Sequence, residues 1–72
     1  MEVRLFATLR EGREKVVNVP WHDGMDGFFL LTQLGIPAAD VAIFLINGVH
    51  NKLDAQLKAD DVVALFPPVG GG

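Results

Sequence analysis

Residues 62–72 read VVALFPPVGGG. Val62, Val63, Ala64, Leu65 and Phe66 make an apolar run rich in β-branched and aromatic side chains, the composition of a strand. Pro67 and Pro68 offer no amide hydrogen to a sheet ladder and hold φ at about −65°, so they end the strand and favour an extended continuation. Val69 and then Gly70, Gly71 and Gly72 finish the sequence on its least restricted residue type. A strand stopped by two prolines just before a backbone-only end projects that end away from a sheet. The residues upstream have to supply the sheet.

In EVRLFATL (residues 2–9), Val3, Leu5, Ala7 and Leu9 alternate with Arg4, Phe6 and Thr8, which places successive side chains on opposite faces of a first strand. Gly12 in REGRE gives turn chemistry, and KVVNV brings Val17 and Val19 to one face before Pro20 interrupts, so the two segments predict a hairpin. The period changes in WHDGMDGFFLLTQLGIP (residues 21–37). Phe28, Leu31 and Leu34 recur at helical spacing and Leu30 broadens the stripe. Asp26 suits the N-cap, Gly35 the left-handed position after the last turn, and Pro37 forbids continuation, which predicts an amphipathic helix of about ten residues. Gly27 weakens its first turn.

VAIFLINGVH (residues 41–50) predicts a strand and a tight reversal at Asn47-Gly48, because both residues tolerate positive φ. NKLDAQLKADD (residues 51–61) is polar with anchors at Leu53 and Leu57, which suggests a short strand, and Asp60-Asp61 reads as the turn before the last one. The order is therefore β-β-α-β-β-β, with four main strands if the piece near Val49 is too short to count.

The chain has 72 residues, half of them hydrophobic and 21% charged, the composition of one compact domain and not of a disordered segment. Without cysteine it has no disulfide framework, thiolate metal site or cysteine nucleophile. Net charge is −3 and the six Lys and Arg residues are scattered, so a phosphate-binding patch is missing and nucleic acid is not an expected partner. Glu2, Arg4 and Arg10 interrupt any apolar signal segment, and VAIFLI falls far short of the ~20 residues of a membrane span. A cytoplasmic protein without membrane contact is expected. His22 and His50 lack metal-ligand spacing and read as turn or surface residues, so no metal site is expected. Trp21, beside Pro20, suits a cover over the helix end or the core edge.

Alternation also sorts the faces. With Val3, Leu5, Ala7, Leu9, Ala42, Phe44, Ile46, Val63 and Leu65 toward the helix, the same strands turn Phe6, Ile43, Leu45, Ala64 and Phe66 the other way. Large apolar side chains on the face that should meet water indicate an interaction patch.

LFATLRE in the first strand, LLTQLGI in the helix, FLINGVHN around the turn, LKADDVVALF into the last strand and FPPVGGG at the end stand in one order and spacing. Together they resemble the MoaD/ThiS family of ubiquitin-like sulfur carriers. The likeness spans essentially the whole chain, and FPPV before the glycines is closest to the small subunit of molybdopterin synthase. One departure is DGMDGFF (residues 23–29), where the family usually has a Thr-Val-type helix start. The resemblance implies an α+β fold of β-grasp type, a mixed four- to five-stranded sheet with one main helix packed on one face. It would occupy residues 1–68, with 69–72 as a flexible glycine tail.

For function, the resemblance implies that the chain is loaded and is not itself an enzyme. The α-carboxylate of Gly72, ionised at neutral pH, would be adenylated by an E1-like enzyme of MoeB/ThiF type and then converted to a thiocarboxylate. No cofactor would be bound, and ATP would be used by the activating partner. Gly70 and Gly71 would let the end thread a narrow channel, since glycine has no Cβ to meet its walls. Phe6, Leu45, Phe66, Pro67, Pro68 and Val69 would contact partners, including a MoaE-type large subunit that passes the sulfur to a pterin precursor. Alternatives are a thiamine-type carrier, a ubiquitin-like modifier joined to lysines through Gly72, and a purely structural interaction module.

Overall fold

The computed structural model describes residues 1–68. Five strands form one sheet: β1 (Glu2–Leu5), β2 (Val16–Asn18), β3 (Ile43–Ile46), β4 (Val49–His50) and β5 (Val62–Phe66). Their spatial order is β2-β1-β5-β3-β4. β5 runs parallel to β1, with Leu5 opposite Leu65, and antiparallel to β3, with Phe44 opposite Leu65. The first and last strands thus lie side by side within the sheet, a parallel pairing that needs a crossover between them. Helix α1 (Gly27–Leu34) lies within that crossover.

The helix starts and stops where local chemistry dictates. Asp26 accepts a hydrogen bond from the Phe29 amide at 2.9 Å, and Gly35 closes the last turn at φ 69°. Its stripe, however, is phased on Gly27 and not on Phe28. Gly27, Leu30 and Leu31 are buried and Leu34 is half-buried, the i, i+3, i+4, i+7 series of one helix face. Phe28 falls one position off that series and is 49% exposed. The phase is set by close packing: a Cβ on Gly27 would come within 2.6 Å of the Leu53 carbonyl oxygen and 3.0 Å of the Phe44 ring. The residue that weakens the helix in isolation lets it lie down on the loop.

Val3, Leu5, Phe44, Val63 and Leu65 from the sheet pack with Leu30 and Leu31 from the helix, and Met25, Ile36 and Leu57 close the edges. The first strand is shorter than the alternation predicts. Ala7 takes a left-handed conformation at φ 54°, and residues Ala7–Arg10 form a 3-10 turn. Leu9 still reaches the core through that turn, whereas Ala7 is exposed instead of facing the helix, as is Ala42 at the start of β3. The expected strand around Leu53 and Leu57 reduces to a single bridge between Asp26 and Gln56, with the Leu57 amide bound to the Met25 carbonyl at 2.8 Å.

Asn47 and Gly48 both have positive φ, 52° and 82°, as a tight hairpin requires. Asp61 does more than make a turn. Its buried carboxylate accepts from Asn47 Nδ2 at 2.8 Å and from the Lys58 amide at 2.7 Å, while Asn47 Oδ1 accepts from the Val62 amide at 2.9 Å. The β3–β4 turn is thereby tied to the start of β5.

Gly27→Ala distinguishes helix propensity from packing. Propensity alone would make alanine stabilising by about 1 kcal/mol. The Leu53 backbone reverses the sign, and a loss of about 1–3 kcal/mol is expected, as for other overpacked sites. Urea unfolding measures it, and an unchanged or higher midpoint would show that the loop yields at little cost.

Candidate functional site

The site is the end of β5, because it delivers the chain to Pro67 and Pro68. Backbone hydrogen bonds hold this end from both sides. The Phe6 amide donates to the Leu65 carbonyl at 3.2 Å, and the Ala42 amide donates to the Phe66 carbonyl at 2.8 Å. Phe66 is therefore fixed immediately before the prolines. Pro67 is half-buried and Pro68 exposed.

Side chains brace the same point. The rings of Phe6 and Phe66 stack with centroids 4.2 Å apart and planes within 8°. The Arg10 guanidinium carbon lies 5.4 Å from the Phe6 ring centroid, and Arg10 Nε donates to the Leu5 carbonyl at 2.8 Å. Such a cation over an aromatic face is attracted by the ring quadrupole. Ile43 lies opposite Phe66 and Leu45 opposite Ala64 on the same sheet face. Phe6, Leu45, Ala64 and Phe66 are half-buried there, and Ile43 is 37% exposed.

A groove of about 790 Å³ opens beside the end of β5, with Ile36, Pro37, Ile43, Phe66, Pro67 and Pro68 in its wall. Glu11, Arg13 and Asp40 also line it. Arg13 is anchored there by hydrogen bonds to the Leu34 and Gly35 carbonyls, both at 3.3 Å. The arrangement can seat a partner's apolar side chains next to the point from which the last residues depart.

The structure thus brings Phe6 and Phe66 together at the end of β5 with Pro67 and Pro68 following, and places Leu45 on the same face farther along the sheet, opposite Ala64. Val69, Gly70, Gly71 and Gly72 lie outside the described residues. His22 packs edge-on against Phe29 at 4.5 Å, and His50 stands opposite Leu45 on β4; both are exposed. Among the described residues no three His, Asp or Glu side chains gather as a metal site would require. Trp21 does cover the core edge, donating from Nε1 to the Leu57 carbonyl at 2.8 Å. Sequence reading missed Arg10. Its position four residues after Phe6 is informative only once the segment is known to turn, because in a continuous strand the two would be far apart.

Comparison with known proteins matches residues 3–72 to the ThiS family. Among solved structures, SAMP1 from Haloferax volcanii is 29% identical, with a TM-score of 0.77 over 99% of this chain and 97% of that one. A chain of the protein-protein complex of subunits 1 and 2 of molybdopterin-converting factor from Helicobacter pylori 26695 is 27% identical, with a TM-score of 0.63 over 99% of this chain and 96% of that one. No curated protein matches the sequence. The mixed five-stranded sheet with helix α1 packed on it is the ubiquitin-like β-grasp fold.

The stack at the end of β5 can be measured as a coupling. Phe6→Ala and Phe66→Ala, made singly and together, are expected to give an interaction of about 0.5–1.5 kcal/mol in unfolding free energy, the range of stacked aromatic pairs. Additive effects would show that the rings adjoin without bracing each other.

Proposed function

The chain belongs to the ThiS family of ubiquitin-like sulfur carriers and modifiers, and on that premise we propose that it carries sulfur on its terminal glycine for the synthesis of molybdopterin. A Gly72 carboxylate oxygen attacks the α-phosphorus of ATP and pyrophosphate leaves. The resulting acyl adenylate is attacked at its carbonyl carbon by hydrosulfide, AMP leaves, a proton is released, and a thiocarboxylate remains. An E1-like adenylating enzyme of MoeB/ThiF type supplies the nucleotide site, so ATP is the partner's substrate and this chain binds no cofactor of its own. The chain lacks cysteine and acts as a substrate and subunit, not as a catalyst.

The observation that carries this reading is the construction around Phe66. A central strand is held on both edges up to its last residue, and two prolines and a glycine end follow. Pinning the root while leaving only backbone beyond Val69 suits an end that must enter a narrow channel. Phe6, Leu45, Phe66, Pro67, Pro68 and Val69 form the contact surface for the activating enzyme and for a MoaE-type large subunit of molybdopterin synthase. The similar chain from Helicobacter pylori, solved in a complex of subunits 1 and 2, supports a partner of that kind. Among the described residues no helix is long and apolar enough to cross a membrane, and cytoplasmic assembly is part of the proposal.

A second reading has a specific observation in its favour, the likeness to a small archaeal modifier protein of Haloferax volcanii at 28% identity. There the activated Gly72 would be joined to lysine amines of other proteins. Isopeptide adducts of this chain would support conjugation, whereas sulfur recovered in a small molecule would support carriage to molybdopterin or, in a thiamine-type pathway, to a thiazole.

ATP–pyrophosphate exchange by the cognate adenylating enzyme tests the role of the end. Deleting Gly72 or appending one residue is expected to lower exchange by about 100-fold, since misplacing a reacting atom by even ~1 Å has effects of that size. Gly71→Val should act in the same direction through channel sterics. Unfolding midpoints should stay unchanged, because the core is built from residues before 66. A tagged chain that is never processed yet supports full exchange would contradict the proposal.

A further inference from the structure

The face of α1 turned away from the sheet takes no part in the tail chemistry. Its exposed residues are Phe28, Phe29, Thr32 and Gln33, and none of the helix residues is charged. A surface helix ordinarily presents charged and polar side chains to water. Here Phe28 is 49% and Phe29 38% exposed. His22 packs edge-on against Phe29, and Trp21, itself 36% exposed, is held beside His22 by its bond to the Leu57 carbonyl. Phe28 and Phe29 thus lie exposed on the helix with His22 against Phe29, and Trp21, the residue before His22, is fixed by its hydrogen bond to the Leu57 carbonyl. They fall in and around DGMDGFF, the segment that departs from the family's usual helix start.

The charge beside this apolar surface has one dominant sign. Asp23 lies in the turn closed by the Met25 amide on the His22 carbonyl at 3.2 Å, and Asp26 caps the helix. The Phe28 amide bonds to the Leu53 carbonyl at 3.2 Å, which brings Asp54 to the same end of α1. Lys52 and Lys58 are the cations of this neighbouring loop, against Asp54, Asp60 and Asp61 within it and Asp23 and Asp26 before the helix. Among the described residues the ion pair found is Arg4–Glu2, on β1, and none of these aspartates is in a contact ion pair.

We propose that this face is a second docking surface, which binds an amphipathic helix of a partner protein that carries Lys or Arg beside its apolar stripe. An apolar helix surface fits another helix, and three aspartates at one end select a basic occupant. A second copy of this chain fits poorly, because two such faces would bring like charges together. The surface lies on the opposite side of the sheet from Phe6 and Phe66, so it can be occupied while the tail is engaged. It does not depend on which pathway receives the sulfur.

Trp21 is the only tryptophan in the chain and reports the binding directly. The full-length protein is titrated with a helical peptide of leucine and lysine in amphipathic order, with a leucine–glutamate peptide of equal length as control. A saturable shift of Trp21 emission is expected with the first peptide and none with the second. Phe28→Ser with Phe29→Ser should weaken binding by about tenfold, as removal of interface aromatics does. Asp23→Asn with Asp54→Asn should weaken it by about threefold at low ionic strength and flatten its salt dependence. Should the serine pair lower the unfolding midpoint, Thr32→Lys with Gln33→Lys changes only exposed positions and is expected to repel the basic peptide to a similar extent. Equal binding of the acidic peptide, affinity indifferent to these substitutions, or a wild-type dimer that the serine pair dissolves would overturn the proposal.

Discussion

The structure depends on the pairing of β5 with β1 on one edge and β3 on the other. Val63 and Leu65 are wholly buried, and their neighbours across the sheet, Val3, Leu5 and Phe44, make up most of the sheet's share of the core. Parallel strands cannot be joined by a tight turn, so the β1–β5 pair obliges the intervening chain to cross the sheet, and α1 lies in that crossover. The Asn47–Asp61 hydrogen bonds set where β5 begins, and the Phe6 and Ala42 amides hold where it ends. The placement of Phe66 and of Pro67 after it follows from a strand clamped along its length.

Local chemistry was legible in the sequence wherever it acts within a few residues. Asp26 and Gly35 bracket the helix, Asn47-Gly48 makes the hairpin, and Pro67 ends β5, each for a reason carried by one side chain or one φ angle. What the sequence hid is set by distant partners. Ala7 breaks the first strand because the 3-10 turn lets Leu9 reach the core and places Arg10 over Phe6. The helix phase is decided by the Leu53 backbone, 26 positions from Gly27, and no periodicity count contains that contact. Asp61 looks like turn chemistry until the Asn47 side chain, 14 residues away, is seen to meet it.

The candidate site shows the same division. Alternation alone placed Phe6, Leu45 and Phe66 on one face, since neighbouring side chains of a strand point oppositely. That Phe6 stacks on Phe66 required the parallel register of β1 and β5, which joins opposite ends of the chain. The last four residues lie outside the described part, so the role of Gly72 rests on chemistry and on family membership. The molecule presents two unlike surfaces across its sheet. One gathers Phe6, Phe66 and Arg10 at the end of β5, and the other carries Phe28 and Phe29 near aspartates. On the proposed function, a carrier handed between proteins is suited to having more than one face to hold.

On the proposed function, the chemistry of this protein resides in one terminal carboxyl group that follows a strand clamped on both edges. Intact-mass measurement after incubation with the cognate adenylating enzyme, ATP and a sulfur donor tests it most directly. A gain of about 16 Da is expected, the exchange of oxygen for sulfur at an ionised α-carboxyl group, located by fragmentation at Gly72. An unchanged mass under conditions where the enzyme loads another carrier, or a modification placed anywhere before residue 69, would contradict it.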